Sequence, residues 1–326
     1  MLAILLVTFP FFALVLCGYI AARRRWLPQA AIPGLNTFVL YFALPCLLYR
    51  FGSSTPIAQL LDGGLVAVYL ACALVVVGFT IAVTHRGRIG WNDAAFGALV
   101  AAFPNTGFMG VPLLVALLGA SAAGPAIVTI VVDLVITSSL CIALSRLDGA
   151  DQHGFAHAGK NALKGVLVNP MPWAILLGAV ASAVHLELPQ PVSQTVGLLA
   201  DSASPVALFT IGAVLARSQM LVAAAGAPAL PLRDYLPVAL IKLVLHPVLV
   251  LLVGVGAIQI GVPLDRFALT VIVLVAALPS ASNVSLLAER FGANTGRIAR
   301  IILVSTAAAF LSFSAAVSML ADKTAP

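Results

Sequence analysis

Charge is what this sequence has least of. Asp, Glu, Lys and Arg make up 9% of the 326 residues, against roughly 25% in an ordinary soluble domain. Hydrophobic residues account for 62%. A chain this poor in charge cannot clothe a folded surface for water, which excludes a soluble globular protein and makes membrane lipid its solvent. Cysteine is also sparse. Cys17, Cys46, Cys72 and Cys141 lie in apolar stretches without CxxC or CxxH spacing, so no zinc site or redox pair is expected and they read as small core residues. The sequence lacks HExxH, GxSxG and any paired-aspartate constellation at one depth, which argues against an intramembrane enzyme. No cofactor motif is present.

What is there is a succession of apolar runs. A hydrocarbon core about 30 Å thick needs about 20 residues of helix. Ten stretches qualify, at about 2–22, 34–50, 64–84, 93–118, 123–146, 170–187, 192–217, 235–260, 267–289 and 297–321. The first is expected to be a retained helix and not a cleaved leader, because Arg23, Arg24 and Arg25 follow Cys17 and no basic segment precedes it. The net charge of +6 is topological and no nucleic-acid partner is expected, since the basic residues sit between apolar runs and not on one face. With both termini outside, thirteen Lys and Arg from Arg23 to Arg300 fall on the inner side. Arg50, Arg266 and Lys323 fall on the outer side, as the positive-inside rule requires of a multi-pass protein of the cell's inner membrane. The polar stretch 147–169, with His153 and His157, reads as a cytoplasmic linker between halves 1–146 and 170–326.

Five helices per half is odd, so the second half enters the membrane inverted. Matching segments support this: FALPCLLY around Pro45 against SASPVALF around Pro205, and AAFPNTGF around Pro104 against AALPSASN around Pro279. The expected fold is all-α, with ten transmembrane helices as two inverted five-helix repeats. In the fourth helix Pro104 removes a backbone donor and is followed by Asn105, Thr106 and Gly107, which favour caps and turns. Pro279, Ser280, Ala281, Ser282 and Asn283 repeat the pattern in the ninth. Both helices should break and restart inside the membrane, where free N–H groups and free carbonyls gather. Such a place suits an anion beside a proton or a small cation. Asn105, Thr106, Gly107, Ser280, Ser282 and Asn283 are therefore the candidate substrate-binding residues.

Three ionisable residues, Asp133, Asp201 and Lys242, fall inside expected spans, where each costs about 2.5–3.5 kcal/mol unless partnered. Asp133 and Lys242 are candidates for coupling or for charge supplied to the substrate, and they could pair with each other. Asp201, nearer a helix entrance, reads as structural, and so does His246, which precedes Pro247. Coupling to protons or to sodium stays open at this level.

These residues resemble the auxin efflux carrier family, which includes plant auxin carriers and bacterial carriers of malonate and related acids. The resemblance runs through LCGYIAARRRWLP, FALPCLLY, FPNTGFMGVPL, NPMPWAILLGAV, ASPVALFTIGAVLA, IKLVLHP and ALPSASNVSLLAERFG, in order and across nearly the whole chain. It implies a fold similar to that of the bile-acid symporters, with helices four and nine crossing at Pro104 and Pro279. It also implies a transport domain of helices 3–5 and 8–10 sliding on a scaffold of helices 1, 2, 6 and 7, often as a homodimer, and it implies that Asn105 lies beside the substrate carboxylate. The short linker resembles the bacterial, malonate-like branch. Expected is a secondary transporter of a small organic anion; the alternative is a sodium or proton antiporter of the same fold.

Overall fold

The computed structural model describes residues 2–55, 62–86, 89–147, 170–224 and 230–321. The linker 147–169 lies outside them apart from Leu147, as does Lys323. Among the described residues the chain is helical, without a strand. The helices are α1 (Leu2–Arg23), α2 (Gln29–Ser54), α3 (Gly63–Thr84), α4 (Trp91–Ala102), α5 (Thr106–Leu118) and α6 (Ala120–Leu144) in the first half. The second half holds α7 (Pro170–Ala183), α8 (Gln190–Ala224), α9 (Leu236–Gln259), α10 (Arg266–Ala277), α11 (Val284–Arg290) and α12 (Thr295–Ala321).

Seven of these, α1, α2, α3, α6, α8, α9 and α12, are long and apolar enough to cross a membrane. Of the ten expected stretches, the other three are made of shorter helices. α7 is described only from Pro170 onward, and the remaining two are the pairs α4/α5 and α10/α11, each interrupted at a proline. The outer surface is apolar: Leu6, Leu252 and Leu311 are each about two-thirds exposed, as lipid-facing side chains are. This multi-pass helical architecture agrees with what the composition dictates.

Small residues decide the tightest packing. A Cβ on Gly18 would overlap the Phe209 carbonyl and one on Gly212 the Val15 carbonyl, so α1 and α8 touch backbone to backbone. Gly52 and Gly178 bring α2 and α7 together in the same way. Where lipid supplies no hydrophobic drive between helices, such close approach is the main source of attraction. α3 packs on α4 and α9, α9 on α10, and α4 and α10 on α6.

Several helices contain one widened, π-type turn. Those at Val39–Ala43 and Ile241–Leu245 stand just before Pro45 and Pro247. There the wider turn accommodates the missing N–H and the ring. A third, Asp133–Thr137, has no proline; the Ser138 hydroxyl donates to the Asp133 carbonyl at 2.8 Å and occupies the gap in the ladder.

The four cysteines are free, and they are not uniformly core residues. Cys72 and Cys141 are buried, Cys46 is half-buried and Cys17 is exposed on α1, because a thiol tolerates lipid as well as protein.

Candidate functional site

The two interruptions meet. α4 ends at Ala102 and α10 at Ala277, and the extended residues beyond them pair as a short antiparallel bridge centred on Pro104 and Ser280. The Asn105 N–H donates to the Pro279 carbonyl at 2.8 Å, and the Ala281 N–H donates to the Phe103 carbonyl at 3.0 Å. Neither proline could donate, so the bonds fall on the two sides of Pro104, and Pro279 takes part only through its carbonyl. The bridge satisfies part of the backbone that two broken helices expose, which lets the breaks persist away from water.

The groups that the bridge leaves unsatisfied define the site. Among the described residues, the N–H groups of Gly107 and Phe108, in the first turn of α5, meet no acceptor, nor do those of Ser282 and Asn283 in the turn before α11. The buried side-chain atoms Thr106 Oγ1, Ser280 Oγ and Asn283 Oδ1 also have no partner, and Asn105 is buried. Each buried polar group left alone costs about 1–3 kcal/mol, and their gathering at one point asks for a ligand. All six candidate substrate residues thus lie on the two paired breaks. Ser305 of α12 was not among them; its hydroxyl accepts from the Ser280 N–H at 3.2 Å. A serine inside an apolar helix carries no sequence signal for that role.

An opening leads toward this place. A cavity of about 390 Å³ is lined by Asn36, Arg217, Ser218, Ser285, Glu289 and Thr295. A narrow extension shares Asn36, Val214 and Ser285 with it and reaches Phe108 and Ser282. Asn36 and Arg217 carried no distinguishing pattern in the sequence, because their importance comes from helices α2 and α8 facing α11.

The buried ionisable residues form a second polar cluster beside the breaks. Asp133 is fully buried; its carboxylate accepts from the Tyr69 hydroxyl at 2.9 Å and from the Thr137 hydroxyl at 3.1 Å. Lys242, equally buried, donates to the Ala276 carbonyl at 2.6 Å and lies 3.3 Å from His246 Nδ1. The two charges are near enough to act on each other, yet no salt bridge joins them among the described residues. His246 stacks obliquely on Tyr69 at 6.1 Å; its Nε2 is buried without a hydrogen-bond partner, with the Ala101 backbone near the ring. Asp201 stands apart, in an exposed 2.6 Å pair with Arg50.

Comparison with known proteins gives this arrangement its setting. The protein named "Putative malonate transporter" in Rhizobium meliloti (strain 1021) is 29% identical over 91% of this chain and 89% of its own. "Uncharacterized transporter YfdV" of Escherichia coli (strain K12) is 28% identical over 88% of each. "Auxin efflux carrier component 8" of Arabidopsis thaliana is 22% identical over 66% of this chain and 72% of its own. Residues 4–317 match the family described as membrane transport protein. The chain therefore belongs to that family, the auxin efflux carriers, and is a multi-pass membrane transporter and not an enzyme.

Proposed function

We propose that this transporter is a secondary carrier of a small mono- or dicarboxylate, malonate-like in size, working by alternating access. The observation that carries the reading is the set of unpartnered N–H, hydroxyl and amide groups on the paired breaks. A carboxylate offers the acceptors that the four free N–H groups lack, and the positive end of α5 favours its charge. Asn105 and Asn283 each add an amide donor, and Thr106, Ser280 and Ser282 add hydroxyls. The malonate name borne by the Rhizobium relative points to the same ligand class.

The ten-span inverted repeat supplies the frame of this reading. Counting α4/α5 and α10/α11 as one broken span each gives five spans per half, with the breaks in the fourth span of each. The division into a scaffold and a moving body is supported by packing: α1 with α8 and α2 with α7 on one side, α3, α4, α6, α9 and α10 on the other. The cavity between α2, α8 and α11 then runs from the side rich in Lys and Arg to the breaks, and this is the inward-open state of an elevator cycle, with both termini outside.

The test is flux. Purified protein in proteoliposomes should take up or exchange labelled malonate, malate or indole acetate with saturable kinetics. Replacement of Asn105 with Ala should reduce that flux at least tenfold, the loss of one or two charge-assisted hydrogen bonds, with the melting temperature within a few degrees of the parent. Unchanged flux in that variant would remove Asn105 from the site. Transport of no organic acid, with cation-driven pH change in its place, would move the protein to the antiporter reading.

A further inference from the structure

A pair of helices that stop inside a membrane leaves carbonyls as well as N–H groups without partners. The N–H side of the breaks is the one that receives the anion in a carboxylate carrier. The carbonyl side is already filled from within. Ala276 and Ala101 hold equivalent places, each three residues before its proline, in the last turn of α10 and of α4. Lys242 Nζ donates to the first of these carbonyls at 2.6 Å, and His246, one turn further along α9, lies near the Ala101 backbone without a hydrogen bond to it.

Side-chain chemistry fixes how the two cooperate. A protonated Lys242 has three donors and no acceptor, so with its ammonium at 3.3 Å the His246 Nδ1 is the acceptor. The ring proton then sits on Nε2, which is buried without an acceptor. The Lys242–His246 pair thereby holds the Ala276 carbonyl directly and sets the His246 ring beside the end of α4, with Lys242 as its one cation. The groups around it are Asp133 of α6, Tyr69 of α3 and the main chains of α4 and α10. Asp133 supplies the compensating negative charge without touching the ammonium.

Carbonyl oxygens at unwound helix ends, with a carboxylate nearby, are the ligands that membrane carriers offer to a monovalent metal cation. Here the lysine occupies that place. We propose that Lys242, oriented by His246, is a built-in cation that replaces a bound sodium ion at the paired breaks, so that anion binding needs no inorganic cation. The proposal rests on the carrier reading. It has a converse: removing the ammonium should expose the Ala276 and Ala101 carbonyls and the Asp133 carboxylate as a sodium site.

The experiment compares the wild type with Lys242→Ala and Lys242→Met, each in sodium chloride and in choline chloride at equal ionic strength. Melting temperature and malonate flux in proteoliposomes are both read. Wild-type melting temperature and flux should be the same in the two salts. Lys242→Ala should lose flux at least tenfold in choline and regain it, with a saturable rise in melting temperature, as sodium reaches roughly 100 mM. Lys242→Met fills the space without charge and should stay inactive in both. The proposal is overturned by saturable sodium dependence in the wild type, by Lys242→Ala flux that is independent of sodium, or by a folded Lys242→Ala protein that responds to sodium in neither readout. If Lys242→Ala does not fold, the wild-type arm decides alone: indifference to sodium supports the built-in cation and dependence refutes it. Absence of flux for every carboxylate in the wild type would defeat the carrier reading instead, and the melting curves would still answer the cation question.

Discussion

At Asp133 an ionisable group lies wholly inside the protein, and its two oxygens are occupied by hydroxyl donors from Tyr69 and Thr137 and not by a cation. A carboxylate held by neutral donors keeps the freedom to exchange a proton that a tight ion pair would remove. Replacement of Asp133 with Asn retains an acceptor but turns its amide toward one hydroxyl. The expected stability loss is roughly 3 kcal/mol, since the buried Lys242 also loses its compensating charge. The variant should fold, and its malonate flux should lose the wild-type dependence on pH when measured between about pH 5 and 8; an unaltered profile would make Asp133 structural. Asp201 gives the contrast. Its pair with Arg50 is 2.6 Å long but open to solvent, with side-chain exposures of 69% and 41%, and such pairs contribute about 0–1 kcal/mol. Replacement of Asp201 with Asn should leave flux unchanged and shift the melting temperature by only a few degrees. Both aspartates were visible in the sequence as charges within apolar runs. Their different standing was not, since burial depends on which helices surround α6 and α8.

The helices show which local signals survive the fold. PNTG and PSASN break their helices where proline and cap-forming residues predict, because no tertiary contact can restore a donor that proline lacks. Pro45, Pro112 and Pro247 are absorbed instead, each coming after a widened turn inside or at the start of a continuing helix. The difference lies in the residues on the C-terminal side of the proline: cap-forming ones, whose side chains compete for backbone hydrogen bonds, in the first case, and leucine-rich apolar ones that offer no such competition in the second. Packing between elements depends on glycine in a similarly local way. A leucine at Gly212 would have to displace the backbone of α1 at Val15. Overpacking against side chains costs about 1–3 kcal/mol, and the backbone yields less readily. Gly212→Leu should therefore lower the melting temperature markedly and broaden the size-exclusion peak. Gly78→Leu, at a position on α3 with nothing within 4 Å, should change neither.

For the molecule as a whole, the elevator reading requires α11 to slide past α2 and α8. Asn36 and Ser285 line one cavity from opposite bodies, so a double cysteine variant at these positions, with Cys17 and Cys46 replaced, should lose flux when joined by a short bifunctional reagent and recover it on reduction. Full flux in the cross-linked protein would reject relative motion of these helices. From the sequence alone came the membrane as solvent, the number and order of apolar runs, the two breaks and the family. All of these arise from composition and from local backbone chemistry, which act over a few residues. Only the tertiary structure could decide that Asn105 donates to Pro279, that Lys242 donates to Ala276 and makes no salt bridge with Asp133, and that Ser305, Tyr69 and Asn36 join the site. Those contacts link residues far apart in the chain, and a polar side chain in an apolar helix acquires its partner only when another helix is packed against it.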